Sequence, residues 1–393
     1  MRDARSSFSS IDNERVLRRM QEEGLWNGSF NGRESSLQQL APFVGKLKTG
    51  MVHGLVEHFS REGECICDPF SGCGVVPFEG VLLGRRAKAN DLSPYSYCVT
   101  IGKLTAPDSL QAAERRVSVL SDYVARNWNR YDLASVELWV RRFFHPRTLK
   151  ETLAAFDYCR RHRDFFLASC LCGILHHQRP GFLSYPASHM VPYLRTRLFP
   201  RDDFPELYKY RSVAERLAKK VSRAYRRPNL TSVWGRREYQ VTKRDARNLP
   251  FPDESVHLML TSPPYYDALD YARDNRLRLW FLGQHDWREL NRKLTKSNTH
   301  YEDQMRACLS EMYRVLRPGR ACVLIVGEVE KYGKTRDTGE VLGKLAAEVT
   351  SGRFVVDCVI EDRIPDIRRS RRGTKATRVE KILVLVKRRG KAG

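Results

Sequence analysis

The chain has 393 residues, enough for two or three average domains or for one elaborated α/β domain that carries an insertion. Its 69 Lys and Arg against 46 Asp and Glu give a formal charge of +23, which favours a polyanionic partner over a small neutral metabolite. An acidic membrane surface would explain the charge equally well, but the sequence has no 18-residue apolar run and its first 18 residues lack the apolar core of a secretory signal. We therefore predict a cytoplasmic protein without a membrane partner.

The ten cysteines are scattered and include no Cys-x-x-Cys pair, so the sequence predicts neither a disulfide framework nor a zinc ribbon. Cys170, Cys172, His176 and His177 share an apolar helical segment, where packing in the core is the simpler interpretation. We predict no metal site.

Residues 1–40 are interpreted as an N-terminal extension, helical over Glu14 to Glu22 and irregular after that. A helix is predicted from Met51 to Phe59, followed by a strand from Glu64 to Asp68. The turn from Pro69 to Gly74 then opens a helix from Val75 to Leu83. Strand, glycine turn and helix make the first half of a nucleotide-binding unit, because the glycines let a ligand approach the backbone at a helix N-terminus.

A second short strand, Ala87 to Asn90, ends at an acidic residue. This residue, Asp91, stands 17 positions after Gly74, close to the offset of about 20 residues at which a carboxylate binds ribose hydroxyls. A dinucleotide-binding fingerprint would place glycine at position 77, where this chain has proline. The pattern therefore favours a nucleotide-like ligand and disfavours a nicotinamide enzyme.

Residues 106–235 differ from the rest of the chain, because they are mostly helical by pattern and rich in arginine and aromatic residues. Helices are predicted over residues 136–144, 149–160, 165–177 and 212–225. We interpret this stretch as a helical insertion and a candidate target-recognition region. An amphipathic helical subdomain with solvated arginines explains the same pattern, and the sequence leaves that alternative open.

The sheet pattern resumes with a strand from Glu238 to Thr242, which leads to an acidic loop at Asp245. Further downstream, helices are predicted over residues 269–282, 301–316 and 340–349. Strands are predicted over residues 256–260, 321–326, 354–361 and 381–386.

The strand at 256–260 delivers the turn Thr-Ser-Pro-Pro-Tyr at 261–265. Two prolines directly after a strand remove two N–H donors and hold the turn extended, so the carbonyls of Ser262 and Pro263 are predicted to be acceptors without competing donors. Such a turn suits an exocyclic amine, whose two hydrogens must be held before its lone pair can attack a methyl group. Either tyrosine of the pair at 265–266 would offer a ring to a base turned out of its stack. A proline-rich turn that merely closes a core strand is the alternative.

Four segments together resemble motifs I to IV of the S-adenosylmethionine-dependent amino-methyltransferases of DNA. They are the turn from Asp68 to Gly74, Asp91, Asp245 and the turn at 261–265. The Ser-Pro-Pro-Tyr form is similar to that typical of N4-cytosine enzymes, whereas adenine-N6 enzymes usually carry Asp or Asn before the prolines. The resemblance covers roughly residues 60–100 and 238–388.

The resemblance implies an α/β fold of the Rossmann-like class I methyltransferase type, with a seven-stranded, mostly parallel sheet whose last strand is antiparallel. The catalytic domain would comprise residues 41–105 and 236–393, interrupted by the helical insertion. Because the insertion lies between motifs II and III, any target-recognition region is upstream of the catalytic turn.

The resemblance also assigns roles to individual residues. The methionine half of the cofactor, S-adenosylmethionine, would be surrounded by Asp68, Phe70, Gly72 and Gly74. Its ribose would contact Asp91 and its adenine edge Asp245. The target base would be held by Ser262, Pro263, Pro264 and Tyr265. The family's opening segment, which touches the methionine end of the cofactor, would correspond to residues 43–49.

The implied reaction is a direct in-line methyl transfer, which needs no enzyme nucleophile and rests on positioning and desolvation. In agreement, the chain has no Pro-Cys dipeptide of the kind that carbon-5 cytosine methyltransferases use. The basic loop after the sixth strand would clamp DNA phosphates through Arg368, Arg369, Arg371, Arg372 and Lys375. A disordered, solvated loop is the alternative for that charge run.

These observations predict an N4-cytosine methyltransferase that acts on a specific sequence in double-stranded DNA with the target base flipped out, and that works beside a cognate restriction endonuclease. Three alternatives remain open at this level. They are an adenine-N6 DNA methyltransferase, an RNA base amino-methyltransferase, and an inactive nucleic-acid-binding protein with the same fold.

Overall fold

The computed structural model describes residues 10–26, 34–188, 191–264, 270–294, 300–331, 334–363 and 379–389. The strands are β1 (Cys65–Asp68), β2 (Arg86–Asn90), β3 (Tyr239–Thr242), β4 (Val256–Thr261), β5 (Leu316–Gly327), β6 (Val329–Lys331), β7 (Lys334–Arg336), β8 (Phe354–Arg363) and β9 (Val379–Lys387). The helices up to β3 are α1 (Ser10–Glu22), α2 (Thr49–Phe59), α3 (Val75–Leu82), α4 (Pro94–Leu104), α5 (Leu110–Asn127), α6 (Leu138–Arg141), α7 (Pro146–His162), α8 (Phe165–Ile174) and α9 (Val213–Ala224). The later ones are α10 (Tyr271–Asp274), α11 (Arg276–Phe281), α12 (Trp287–Lys293), α13 (Tyr301–Val315) and α14 (Thr338–Val349).

Seven strands form one sheet in the order β3-β2-β1-β4-β5-β9-β8. The pairs β1 with β2, β1 with β4, β2 with β3 and β4 with β5 are parallel, whereas β9 lies antiparallel between β5 and β8. This arrangement confirms the predicted Rossmann-like fold with an antiparallel last strand. The hairpin of β6 and β7 is a separate two-stranded sheet that the sequence did not predict.

Both faces of the central strands are covered, as expected for a parallel sheet with helices on either side. Along β4, Leu258 and Leu260 belong to one buried cluster while Met259 belongs to the other. The alternation follows from the period of two in a strand. Buried side chains of the inserted helices α5, α7, α8 and α9 belong to the same cluster as Leu258.

The inserted helices approach the rest of the chain closely where α4 meets α8. A Cβ atom on Gly102 of α4 would lie 2.1 Å from Ser169 Oγ and 2.6 Å from the Phe165 carbonyl oxygen of α8. Only glycine allows that approach.

No helix among the described residues is both long enough and apolar enough to cross a lipid bilayer.

Three of the predicted helices differ from those observed. The helix predicted over 136–144 is only the single turn α6, after which Phe143 and Phe144 continue in turns with hydrogen bonds to the carbonyls three residues earlier. The helix predicted over 269–282 is two short helices, α10 and α11, because the chain breaks at Asn275, whose side-chain amide donates to the Tyr271 carbonyl at 3.0 Å. The helix predicted over 165–177 ends at Ile174, since the returning chain takes over its last carbonyls: Leu183 N–H donates to the Ile174 oxygen at 2.9 Å.

Candidate functional site

A pocket lies where four parallel strands end, at the carboxyl edge of the sheet. Such edges hold the ligands of open α/β sheets. The strand-end residues lining it are Asp68 to Gly72 after β1, Asn90 to Ser93 after β2, Arg244 to Ala246 after β3, and Ser262 and Pro264 after β4. The N-terminal part of the chain adds Phe43, Gly45, Lys46 and Leu47, and the helical segment downstream of the Ser-Pro-Pro turn adds Tyr271, Asn275 and Leu294. The space amounts to about 1110 Å³ including its open mouth.

The glycine loop between β1 and α3 adopts backbone angles that favour glycine. Gly72 has φ 51° and Gly74 has φ 72°, both in the left-handed region. A Cβ atom on Gly74 would also lie 2.9 Å from Thr100 Cα in α4. The loop is held by two backbone hydrogen bonds, from Gly74 N–H to the Ser71 oxygen at 2.6 Å and from Ser71 N–H to the Asn90 oxygen at 2.9 Å. The loop therefore has a fixed shape before any ligand arrives.

Asp68 lies at the bottom of the pocket and joins its two sides. Its side chain, in a residue 2% exposed, accepts a hydrogen bond from the Thr261 hydroxyl at 2.6 Å and one from Phe70 N–H at 3.2 Å. Burial raises the pKa of Asp68 to about 7, although both hydrogen bonds lower it. Thr261 immediately precedes the Ser-Pro-Pro turn, so one buried side-chain contact ties the glycine loop to that turn.

Asp91 braces the same loop from the end of β2. One carboxylate oxygen accepts from Gly72 N–H at 2.9 Å and the other from Ser93 N–H at 2.9 Å. Burial raises the pKa of Asp91 to about 6 against these two bonds. No cation of the described residues acts on the pKa of Asp68 or Asp91. A positively charged ligand would stabilise the ionised form of both groups.

Asp245 lines the pocket after β3 but has its own cation. Its two carboxylate oxygens accept from the Arg247 guanidinium at 2.9 and 2.5 Å, and one also accepts from Arg247 N–H. Burial alone would raise the pKa of Asp245, but the bonds from Arg247 hold it below its ordinary value. The carboxylate that the sequence predicted to contact an adenine edge is therefore already hydrogen-bonded to Arg247.

Asn90 was not predicted as a site residue, yet it holds two of the loops in place. Its fully buried amide donates to the Pro69 oxygen at 3.3 Å and to the Arg244 oxygen at 3.0 Å. Its carbonyl accepts from the Thr242 hydroxyl at 2.7 Å and from Arg244 N–H at 3.1 Å. A polar residue ending a buried strand, directly before Asp91, is the signal in the sequence that could have revealed it.

The turn after β4 presents half-buried Ser262 and Pro264 to the pocket, while Pro263 is buried. The Pro264 carbonyl accepts a hydrogen bond from the Tyr301 hydroxyl at 3.1 Å, which fixes the turn from the start of α13. Tyr301 is a second residue that the sequence did not single out. The predicted site residues Tyr265, Arg368, Arg369, Arg371, Arg372 and Lys375 lie outside the described residues.

Two aromatic rings, Phe43 and Tyr271, line the pocket, and Phe43 also stacks on the buried ring of Tyr95. The Phe43 ring stacks on Tyr95 with centroids 6.0 Å apart and on Tyr271 with centroids 6.2 Å apart. A Cβ atom on Gly72 would lie 3.1 Å from the Phe43 ring, so the ring covers the glycine loop. The segment that the resemblance equated with residues 43–49 thus meets the strand-end loops at the pocket.

Behind the glycine loop a chain of buried polar groups connects α2, α3 and α4. Lys103 donates to the Gln38 side chain at 2.6 Å, Gln38 donates to Glu79 at 2.8 Å, and the His53 ring contacts Glu79 at 3.0 Å. Burial lowers the pKa of Lys103 to about 8, whereas the hydrogen bond to Glu79 raises the pKa of His53. The network fixes the helix that begins at the loop.

A family model described as D12 class N6 adenine-specific DNA methyltransferase matches residues 47–144, about a quarter of the chain. The matched range contains the glycine loop and Asp91. No curated protein matches the sequence. The cofactor predicted from the sequence, S-adenosylmethionine, agrees with a methyltransferase family.

Among solved structures, two of a protein from Thermus thermophilus described as a DNA modification methylase are 23% identical to this chain. One covers 37% of this chain and 51% of its own, with a TM-score of 0.23. The other, a complex with S-adenosyl-L-methionine, covers 37% and 52%, with a TM-score of 0.24. This chain thus spans about half the length of those proteins. A SAM-dependent methyltransferase from Methanosarcina mazei is 10% identical over 86% of this chain and 98% of its own, with a TM-score of 0.35.

Proposed function

We propose that this protein is an S-adenosylmethionine-dependent DNA methyltransferase that methylates the exocyclic amine of a base turned out of the duplex. One observation carries the proposal: the glycine loop and the Ser-Pro-Pro turn line the same pocket and are joined by the hydrogen bond from Thr261 to Asp68 at 2.6 Å. In-line transfer needs a donor and an acceptor within reach of each other, and this pocket brings both loops together.

The residues present fit the cofactor. The buried carboxylate of Asp68 lacks a cationic partner among the described side chains, and S-adenosylmethionine carries two cationic centres, its sulfonium and its ammonium group. The half-buried carboxylate of Asp91 can accept a hydrogen bond from a hydroxyl group. When bound, the cofactor supplies a methyl group activated by the positive sulfur. Asp68 would hold the cationic methionine part, Asp91 a ribose hydroxyl, and Asp245 the adenine edge. The Phe43 ring would exclude water from one side of the pocket.

The chain's own contribution to catalysis is positioning. The Ser262 hydroxyl and the carbonyls of Ser262 and Pro263 would accept the hydrogens of the target amine, so that its lone pair faces the methyl group. The Tyr301 bond to the Pro264 carbonyl supports a fixed turn geometry. No nucleophile is required, and the proton of the methylated amine leaves to water after transfer.

The target base we propose is cytosine, methylated at N4 within a specific sequence of double-stranded DNA, on the strength of the Ser-Pro-Pro-Tyr form at 262–265. Adenine N6 is the second candidate, supported by the D12 adenine-specific family model. A restriction endonuclease that recognises the same sequence is the partner we propose for such an enzyme.

The test is a methylation assay with isotope-labelled S-adenosylmethionine on unmethylated genomic DNA and on RNA, followed by nuclease digestion and mass spectrometry of the nucleosides. We expect labelled N4-methylcytosine from DNA. Labelled N6-methyladenine instead would identify the second candidate, adenine N6, as the target. Label found only in RNA would overturn DNA as the substrate. Absence of both methyl transfer and cofactor binding by calorimetry would overturn the methyltransferase proposal. The double variant Ser262→Ala, Pro263→Ala should bind cofactor like the parent protein but lose methyl transfer.

A further inference from the structure

A surface beside the pocket, where the helical insertion meets the segment after the catalytic turn, carries the exposed side chains of Leu138 and Tyr193. We call it the rim face and define it by these two residues together with half-buried Trp139, buried Pro192 and half-buried Arg276. Leu138 is 55% exposed and Tyr193 50%, high values for large hydrophobic side chains in the described chain. Large apolar side chains exposed beside a pocket are candidate contacts for a partner.

The rim face begins one residue away from the pocket. Arg276 follows Asn275, which lines the pocket, and its guanidinium donates to the Pro192 carbonyl. The same guanidinium lies 5.9 Å from the centre of the Trp139 ring. Arg276 therefore joins two segments of the insertion to the catalytic side, and Leu138 and Tyr193 lie next along the chain to its two contacts.

The surroundings of the rim face are positively charged. Burial lowers the pKa of Arg276, and the neighbouring charges of Arg273 and Arg288 lower it further, while Asp274 opposes them. None of these three arginines forms an ion pair with a carboxylate in the part of the chain that the structure describes. The insertion at 106–235 adds 23 Lys and Arg against 12 Asp and Glu. An anionic partner would relieve this repulsion.

The loop that carries Tyr193 is held firmly at its base. Ala187 and Leu194 form a β-bridge, Ser188 N–H donates to the Tyr193 carbonyl at 3.0 Å, and Arg195 N–H donates to the Pro186 carbonyl at 2.9 Å. Below it, the buried guanidinium of Arg211 donates to the carbonyls of Phe182, Ser184 and Leu207. A fixed backbone with an exposed ring loses little conformational freedom when the ring binds a partner.

We propose that the rim face contacts duplex DNA around the target base, with the Tyr193 ring stacking on the bases left beside the withdrawn one and with Arg273 and Arg288 binding phosphates. This inference rests on the proposed function and names the surface that function would use. Duplex DNA fits both halves of the surface, because its phosphates match the unpaired arginines and its bases offer flat apolar faces to an inserted side chain. By filling the space that the target base leaves in the duplex, the Tyr193 ring would lower the free-energy cost of turning that base out of its stack.

The first experiment compares Tyr193→Ala with Tyr193→Phe on a fully paired duplex and on the same duplex with a mismatch at the target base. Tyr239→Ala is the matched control, since Tyr239 is 39% exposed and starts β3, at the opposite edge of the sheet from the pocket. We expect Tyr193→Ala to lower kcat/KM on the paired duplex about tenfold or more, as base stacking on an aromatic ring predicts. On the mismatched duplex, Tyr193→Ala should recover most of the lost kcat/KM. The kcat/KM of Tyr193→Phe and of the control should stay within about threefold of that of the parent protein.

The second experiment measures duplex binding without cofactor as a function of salt, for the double variant Arg273→Gln, Arg288→Gln. Two lost phosphate contacts should reduce the slope of log K against log salt by about 2. Lys344→Gln, which removes an exposed charge from α14, should leave the slope unchanged. If the parent protein methylates DNA while the Tyr193 and arginine variants match it in rate, affinity and salt slope, the rim-face inference is wrong and the proposed function stands. If these variants weaken duplex binding but the parent protein transfers no methyl group, the proposed function fails and the rim face stands.

Discussion

The two sides of the pocket, the glycine loop that we propose as the donor side and the Ser-Pro-Pro turn that we propose as the acceptor side, are built in different ways. The glycine loop is closed by short backbone hydrogen bonds, by Asp91 and by the amide of Asn90, all within two neighbouring strand ends and their loops. The Ser-Pro-Pro turn is held by two side chains from elsewhere, Asp68 through Thr261 and Tyr301 through the Pro264 carbonyl. The half that we propose for the cofactor is therefore preorganised locally, whereas the half that we propose for the base depends on distant segments. Variants on the two sides should therefore fail differently.

The largest effect is expected from Asp68→Asn, on the donor side. The amide oxygen can still accept from Thr261, but the negative charge is gone, so cofactor binding should weaken about a hundredfold or more. Calorimetry with S-adenosylmethionine measures this loss. Asp108→Asn, at an exposed carboxylate that pairs with Arg237, is the control and should bind cofactor normally. Tight binding by Asp68→Asn would contradict the role of Asp68.

The same variant should make the cofactor-free protein more stable at neutral pH. The folded-state pKa of Asp68, about 7, is above its unfolded value, so between about pH 4 and pH 7 the folded state holds the proton and the unfolded state does not. Stability from this group therefore falls as pH rises through that window, by up to about 4 kcal/mol. Urea unfolding at pH 5 and pH 8 should show a smaller pH dependence for Asp68→Asn than for the parent protein. An identical pH dependence would sink this prediction.

Asn90→Ala should affect both halves of the cofactor site at once. Removing the amide leaves the Pro69 and Arg244 carbonyls and the Thr242 hydroxyl without their buried partner, so we expect a loss of about 3 kcal/mol in the free energy of unfolding. Cofactor affinity should fall at least about tenfold, because the loops after β1 and β3 lose their common anchor. Chemical denaturation and calorimetry measure the two effects. Asn248→Ala, at an exposed asparagine near the same loop, should change neither.

Thr261→Val tests the link between the two sides. Since the hydroxyl lowers the pKa of Asp68, its removal should raise that pKa, and the pH at which cofactor binding reaches half its maximum should move upward. At pH 7 we expect about a tenfold loss in cofactor affinity from a hydrogen bond to a charged group. Thr261→Ser keeps the hydroxyl and should restore the profile of the parent protein. A merely structural role for Thr261 would lower stability without moving the pH profile.

The smallest effect is expected on the acceptor side, from Tyr301→Phe. The change removes one hydrogen bond to the Pro264 carbonyl, worth about 1 kcal/mol, so kcat should fall about three- to tenfold while cofactor affinity stays unchanged. Steady-state kinetics with saturating DNA separate the two quantities. Tyr313→Phe, at a half-buried tyrosine of the same helix α13, is the control. Equal effects on kcat and on cofactor affinity would mean that the two sides are not built separately.

Local patterns in the sequence predicted the individual strands and the glycine turn, and the family resemblance predicted the sheet that they form. The strand, glycine turn and helix at 64–83 and the acid at Asp91 are short-range features, and the structure places them as predicted at one edge of a seven-stranded sheet. The last strand, observed as β9, is antiparallel to its neighbours β5 and β8, as the family resemblance implied. The helix after the catalytic turn was predicted as one piece, and its break at Asn275 comes from a side-chain bond that periodicity does not report.

The sequence by itself determined where the chain turns and which residue types stand at each turn, because glycine, proline and alternating apolar residues act on their immediate neighbours. Tertiary structure alone decided which turns meet. Asn90 reaches Arg244 across 154 positions, Arg276 reaches Pro192 across 84, and Tyr301 reaches Pro264 across 37. These contacts exist because the order of strands and the packing of the inserted helices bring distant carbonyls within reach of buried donors, and a buried polar group must find its partner wherever the fold places one.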